Sequence, residues 1–295
     1  MTPVIIEAAL SGYASAASNP HNPTTPEQVA ADALACLAEG AAIIHTHIDD
    51  VKLTGERAAE RYLRAWHPIL EQRPDTILYS TTTSASGIQE KCAHYAPLAR
   101  AGMRMGVLDP GSTNLGPHDA QDMPVEPGFV YANSFADIAY TVEQLRALDL
   151  GPSIAIYEPG WLRTVIAYWR AGRLPRGAFV KLYFSDHNLF TGKKSALTFG
   201  LPPTRRALEA YLELLEGTDL PWAVAVFGGD LVGSGMARLG LGRGGHVRVG
   251  LEDYRGERTP SNRELVTEVA ALAYEMGRPV ADCVTTSRLL QLPSA

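Results

Sequence analysis

Short apolar segments rich in β-branched residues alternate along this chain with longer amphipathic stretches, and eight such segments can be marked. They cover residues 3–10 (PVIIEAAL), 41–48 (AAIIHTHI), 76–82 (TILYSTT), 103–109 (MRMGVLD), 153–157 (SIAIY), 178–185 (AFVKLYFS), 222–228 (WAVAVFG) and 246–252 (HVRVGLE). Helical patterning fills most of the intervals, as in residues 57–73, 134–150, 160–172, 204–217 and 261–277. One helix start is explicit: Thr25 can cap, Pro26 takes the first position, Gln28 completes a capping box, and Gly40 stops the run. A strand followed by a helix and another strand demands parallel pairing through right-handed crossovers. Eight units in roughly 250 residues predict an α/β chain folded as a (β/α)8 TIM barrel. A doubly wound open sheet is the rival, but no GxGxxG follows the first strand. With no linker, repeat or low-complexity tract, residues 1–295 are expected to form a single domain.

Composition narrows the partners. The chain is 46% hydrophobic and 20% charged, ample for a large core, and its net charge of -6 argues against a general nucleic-acid or anionic-membrane binder. Cys36, Cys92 and Cys283 are widely spaced and odd in number, which favours a reducing compartment over a disulfide scaffold. No signal-peptide pattern opens the chain, and no apolar run approaches bilayer-spanning length. A soluble, cytoplasmic protein is expected.

In a barrel, chemistry gathers where the strands end. His45 and His47, in "HTH", share one face of the second predicted strand and can both reach one ion. The alternative is a pair of hydrogen-bonded interior histidines. In the last segment, His246, Arg248, Gly250 and Glu252 share one parity while Val247, Val249 and Leu251 take the other. Glu252 can therefore supply a third ligand, unless it merely pairs with Arg248. Two histidines and a glutamate without thiolate suit Zn2+ first, with Mn2+, Co2+ or Fe2+ also compatible. Asp253, on the opposite parity, is a candidate general base or else a turn cap. Arg248 can orient Asp253 or stabilise a developing oxyanion. Hydroxyls cluster in "STTTSASG" from Ser80 and in "DPGSTNLG" from Asp109, where substrate contacts or ordinary turn chemistry are both open.

Three stretches carry a resemblance. Residues 25–50, 244–266 and 277–292 (TPEQVAADALACLAEGAAIIHTHIDD, GGHVRVGLEDYRGERTPSNRELV and GRPVADCVTTSRLLQL) resemble the β-keto acid cleavage enzymes, the family of 3-keto-5-aminohexanoate cleavage enzyme. The resemblance implies a tetrameric (β/α)8 barrel with a divalent metal, usually zinc. It also implies conversion of a 3-keto acid and acetyl-CoA into acetoacetate and a new acyl-CoA. By motif, the metal ligands would be His45, His47 and Glu252, and the catalytic residues Asp253, Arg248 and Ser80. Substrate contacts would fall at Thr81, Thr82, Ser112, Thr113 and Ala14. Two departures stand out: Asp49 occupies the place of a common family arginine, and Ala14 that of a glutamate which meets an ammonium group. A neutral or apolar substrate side chain is therefore expected. A metal-dependent hydrolase or aldolase on the same fold, and an inactive metal- or ligand-binding member, are the alternatives.

Overall fold

A computed structural model describes residues 2–12, 19–186 and 199–293. Eight parallel strands form one sheet in the order β3-β2-β1-β10-β9-β8-β7-β4. They are β1 (Ile6–Ala9), β2 (Ile43–Thr46), β3 (Ile77–Ser80), β4 (Met105–Leu108), β7 (Gly151–Ile156), β8 (Phe179–Ser185), β9 (Trp222–Phe227) and β10 (His246–Val249). β1 lies between β2 and β10, so the first and last strands meet. At the remaining seam the Arg104 amide donates to the Leu78 carbonyl at 3.2 Å. The result is the nearly closed barrel expected from the strand–helix alternation.

The outer layer includes α1 (Pro26–Ala38), α2 (Gly55–Gln72), α5 (Phe135–Ala147), α6 (Pro159–Arg170), α7 (Arg205–Leu215), α8 (Met236–Gly242) and α9 (Asn262–Glu275). Two short helices, α3 (Ile88–Lys91) and α4 (Tyr95–Arg100), connect β3 to β4, and α10 (Cys283–Leu290) follows α9. Thr25, Ser134 and Ser261 each close a capping box, satisfying amides that helix starts would otherwise leave unpaired. All three cysteines are free and buried. No helix among the described residues is long and apolar enough to cross a membrane.

Two features differ from the sequence expectation. An antiparallel hairpin, β5 (Thr113–Leu115) with β6 (Phe129–Tyr131), interrupts the β/α rhythm after β4. The last strand is also shorter than expected. β10 ends at Val249, and Leu251, Glu252 and Asp253 form a turn beyond it. Gly250 makes that exit possible. Its φ is 147°, and a β-carbon there would stand 2.0 Å from the Ala9 carbonyl oxygen of β1.

Gly250→Ala should therefore cost about 1–3 kcal/mol in urea unfolding. Gly172→Ala, at φ 63° with open space around it, should cost less. Equal losses at the two positions would show that the contact with β1 carries no energetic weight.

Candidate metal centre and its buried ionic support

His45 and His47 flank the outward-facing Thr46, whose hydroxyl accepts from the Trp66 indole of α2 at 3.0 Å. That alternation aims both imidazoles into the barrel mouth. Glu252 meets them from the turn after β10. Its Oε2 lies 3.3 Å from His45 Nε2, and its Oε1 lies 3.3 Å from His47 Nε2. The three side chains offer ligand atoms that all lie within 4.8 Å of one another. Ligands bonded at 2.0–2.2 Å in a tetrahedron stand about 3.4 Å apart, so the spacing suits one divalent cation. His47 Nε2 and Glu252 Oε2 are buried without a hydrogen-bond partner, a costly condition that a shared ion would relieve. Burial holds His45 well below the usual imidazole range despite the pull of Glu252, leaving it neutral as a ligand must be.

The turn that carries Glu252 is held at several points. The Glu252 amide donates to the Ala9 carbonyl at 3.3 Å, and the Gly228 amide to the Asp253 carbonyl at 2.8 Å. Asn262 accepts from the Leu251 amide and donates to the Leu10 carbonyl, both at 2.8 Å, tying the turn to β1. Gly12 leaves room for the ligand itself, since a β-carbon there would come within 2.5 Å of Glu252 Cγ.

Arg248 organises the remaining charge. Its Nε and one terminal nitrogen reach both oxygens of Asp253 at 2.8 and 3.4 Å. The same terminal nitrogen lies 3.0 Å from Glu252 Oε1. The other donates to Glu7 at 2.7 Å and to the Tyr79 hydroxyl at 3.1 Å. All three guanidinium nitrogens are thereby engaged. Of the two roles open to Arg248 from sequence, this geometry fits orientation of Asp253. Burial alone would raise Glu252, but Arg248 and the two histidines outweigh it and hold that carboxyl well below the usual range. Asp253 goes the other way: burial raises it, the Glu252 charge reinforces the rise, and Arg248 opposes it.

Beneath this lies a layer that sequence reading missed. Glu7 of β1, Tyr79 of β3, Ser153 of β7 and Lys181 of β8 are buried in the barrel interior. The Lys181 ammonium donates to Ser153 at 2.5 Å, to Tyr79 at 2.7 Å and to Glu7 at 3.3 Å, using all three N–H groups. Burial would raise Glu7, but Lys181 and Arg248 together hold its carboxyl below the ordinary value. The signal was available: Glu7 and Lys181 are single charges inside otherwise apolar strands, and such charges need partners.

The expected site residues divide. Thr81 and Thr82 line a cavity of about 860 Å³ at the barrel mouth, together with His45, His47, Arg248 and Glu252. Ser80 does not reach it. With Tyr79 facing inward, Ser80 faces outward, 3.0 Å from His94 Nε2 and 3.7 Å from Met103 Sδ. His94 also bonds the Thr81 carbonyl at 2.8 Å, so the pair fixes the β3 exit from outside. Ser112 is exposed and exchanges hydrogen bonds with the Asn133 backbone, while Thr113 Oγ1 lies 3.3 Å from Glu158. Neither lines the cavity, although Leu115, Phe129, Val130 and Tyr131 of the β5–β6 hairpin do. Ala14 lies outside the described residues. Asp49, at the cavity edge, forms a two-pronged ion pair with Arg61 of α2.

The chain is similar to known proteins over nearly its whole length. A family model described as beta-keto acid cleavage enzyme matches residues 3–292. A relative from Cupriavidus necator named 3-oxoadipate:acetyl-CoA acetyltransferase is 28% identical, over 99% of this chain and 96% of its own length. A 3-keto-5-aminohexanoate cleavage enzyme from Fusobacterium nucleatum is also 28% identical, over 99% of both. Among solved structures, a complex of ObcA with oxaloacetate superposes with a TM-score of 0.73 at 15% identity. That match covers 93% of this chain and 68% of the other, and shows a common fold.

Glu7→Gln should cost about 3–5 kcal/mol in denaturant unfolding, because it strips Lys181 of its carboxylate. Adding Lys181→Met should recover most of the loss. Additive costs in the double variant would show that the two charges are not coupled.

Proposed function

This chain belongs to the β-keto acid cleavage enzyme family, and from that premise we propose its reaction and the parts its residues play. It is an acetyl-CoA-dependent transferase that cleaves a carbon–carbon bond. A 3-keto acid and acetyl-CoA are converted to acetoacetate and a new acyl-CoA. The observation that carries the site assignment is the convergence of His45, His47 and Glu252 beside an Asp253 carboxylate that Arg248 holds by two hydrogen bonds.

His45, His47 and Glu252 would hold a divalent cation, zinc by donor type, with manganese, cobalt or ferrous iron compatible. When bound, such an ion supplies Lewis acidity that polarises carbonyl oxygens and lowers the acidity barrier of the neighbouring carbon. Asp253 removes a proton from the carbon between the keto and carboxylate groups. Its raised proton affinity suits a base that must accept and later return that proton. The carbanion attacks the acetyl carbonyl of acetyl-CoA and expels CoA thiolate. The thiolate then attacks the original keto carbon, and the bond between that carbon and its α-carbon breaks. Asp253 returns the proton to the departing carbanion, giving acetoacetate, while the substrate side chain leaves as the acyl-CoA. Arg248 keeps Asp253 aimed throughout, and Thr81 and Thr82 supply hydroxyls for the substrate carboxylate.

The expected homotetramer and a cytoplasmic location belong to the same proposal. Three buried free cysteines suit a reducing compartment.

Asp253→Asn should retain metal but lose turnover by about 10²–10⁴-fold, measured as acetoacetate formed from a 3-keto acid and acetyl-CoA. Glu252→Gln should release metal during dialysis, read by elemental analysis. Chelator should abolish activity in the unsubstituted protein and added metal restore it. Hydrolysis of the keto acid without acetyl-CoA would instead favour a metal-dependent hydrolase.

A further inference from the structure

The cavity has two unlike halves. On the β3 side the cavity is lined by Thr81, Thr82, Thr83 and Lys91. Among the described cavity-lining residues, Lys91 is the one lysine or arginine outside an ion pair: Arg61 is matched by Asp49, Lys181 by Glu7, and Arg248 by three carboxylates. Across the barrel, β7, β8 and β9 present an aromatic wall. Tyr157 stacks on Phe199 at a ring separation of 4.3 Å and meets Tyr183 edge-on at 5.0 Å. Phe227 lies 5.1 Å from Phe199. With Ala155 and Ala225 these rings form a hydrophobic cluster of their own, apart from the main core.

This wall adjoins the reacting centre, since the Arg248 guanidinium lies 5.5 Å from the Tyr183 ring centroid. A 3-keto acid whose carboxylate faces the threonines and Lys91, and whose keto group faces the metal ligands, points its remaining carbons across the barrel. They reach the aromatic side. Among the described residues, no lysine or arginine outside an ion pair lines that side for a second carboxylate. An aliphatic tail needs neither charge nor hydrogen bond, and removing it from water is favourable. Ala155, which lines the cavity, leaves space in the wall that a larger residue would fill.

We infer that this site takes 3-keto acids with an uncharged apolar side chain, seated against Tyr157, Tyr183, Phe199 and Phe227. The inference rests on the β-keto acid cleavage reaction proposed above. The test compares three acids of equal carbon-chain length: 3-oxohexanoate, 3-oxoadipate and 3-keto-5-aminohexanoate. Turnover with acetyl-CoA is followed as acetoacetate and acyl-CoA, and binding is followed separately as a thermal shift without acetyl-CoA. The kcat/KM for 3-oxohexanoate should exceed the other two by at least about 10-fold, with the same order in thermal shift. Ala155→Leu should move the preference from 3-oxohexanoate toward the shorter 3-oxopentanoate, added as a fourth acid, with an unchanged melting temperature certifying the fold.

Faster turnover of either charged acid would overturn the inference. So would an Ala155→Leu variant that folds normally and keeps its chain-length preference. If no acid yields acetoacetate yet 3-oxohexanoate alone shifts the melting temperature, the reaction is wrong and the apolar subsite stands. Absence of both signals overturns both.

Discussion

A guanidinium removed from water must be met by acceptors at each of its nitrogens, and in this barrel that demand is met by four side chains from three places in the sequence. Arg248 leaves β10 toward the interior, where Glu7 of β1 and Tyr79 of β3 approach from one side. Glu252 and Asp253 return from the turn beyond the same strand. The contact between β1 and β10 that closes the barrel is therefore also the contact that pairs Glu7 with Arg248, which are register partners in the sheet. Closure and charge neutralisation are one event. Breaking either would leave a buried charge unmatched, so the position of Asp253 depends on the integrity of the whole strand order.

The same economy explains why two adjacent carboxylates can do different work. Glu252 sits between two imidazoles and Arg248, an environment that favours its charged form and leaves it fit to ligate. Asp253 shares only Arg248, and the neighbouring negative charge raises its affinity for a proton. One cation holding two carboxylates in unequal surroundings gives them opposite shifts in proton affinity. Proton-affinity differences of this kind mark acid–base assignments in many active sites.

Much of the centre was legible because strand parity is a strict rule. "HTH" puts His45 and His47 on alternate positions and "HVR" turns Arg248 inward, while Glu252 reaches the same mouth from the turn after β10. Parity also explains why Ser80 faces away from the cavity. Tyr79 packs on His45 at 4.3 Å inside the barrel, which turns the next residue outward. The β5–β6 hairpin left little trace, since its strands have three residues each and Phe129 and Val130 are exposed, so no buried periodicity marks them. Glu7 and Lys181 lie 174 positions apart and pair only once β1 and β8 face each other across the interior. Local pattern cannot supply that distance, although the isolation of each charge in an apolar strand announces that some partner exists.

Asp49 shows how a departure from a family pattern can be absorbed. Replacing a cation by an anion at the cavity edge would shift local charge by two units if nothing else changed. Here Arg61, twelve residues on, reaches back from α2 and grips both oxygens. The pair is partly exposed, so it adds little stability, but it cancels the charge that Asp49 would otherwise direct into the mouth. Positive charge is restored without being offered to a ligand, because the guanidinium is already occupied. A substrate entering past Asp49 and Arg61 thus meets a neutral edge. In the proposed reaction, selection by charge would fall to the His45–His47–Glu252 site and to Lys91, and selection by shape to the aromatic side of the barrel.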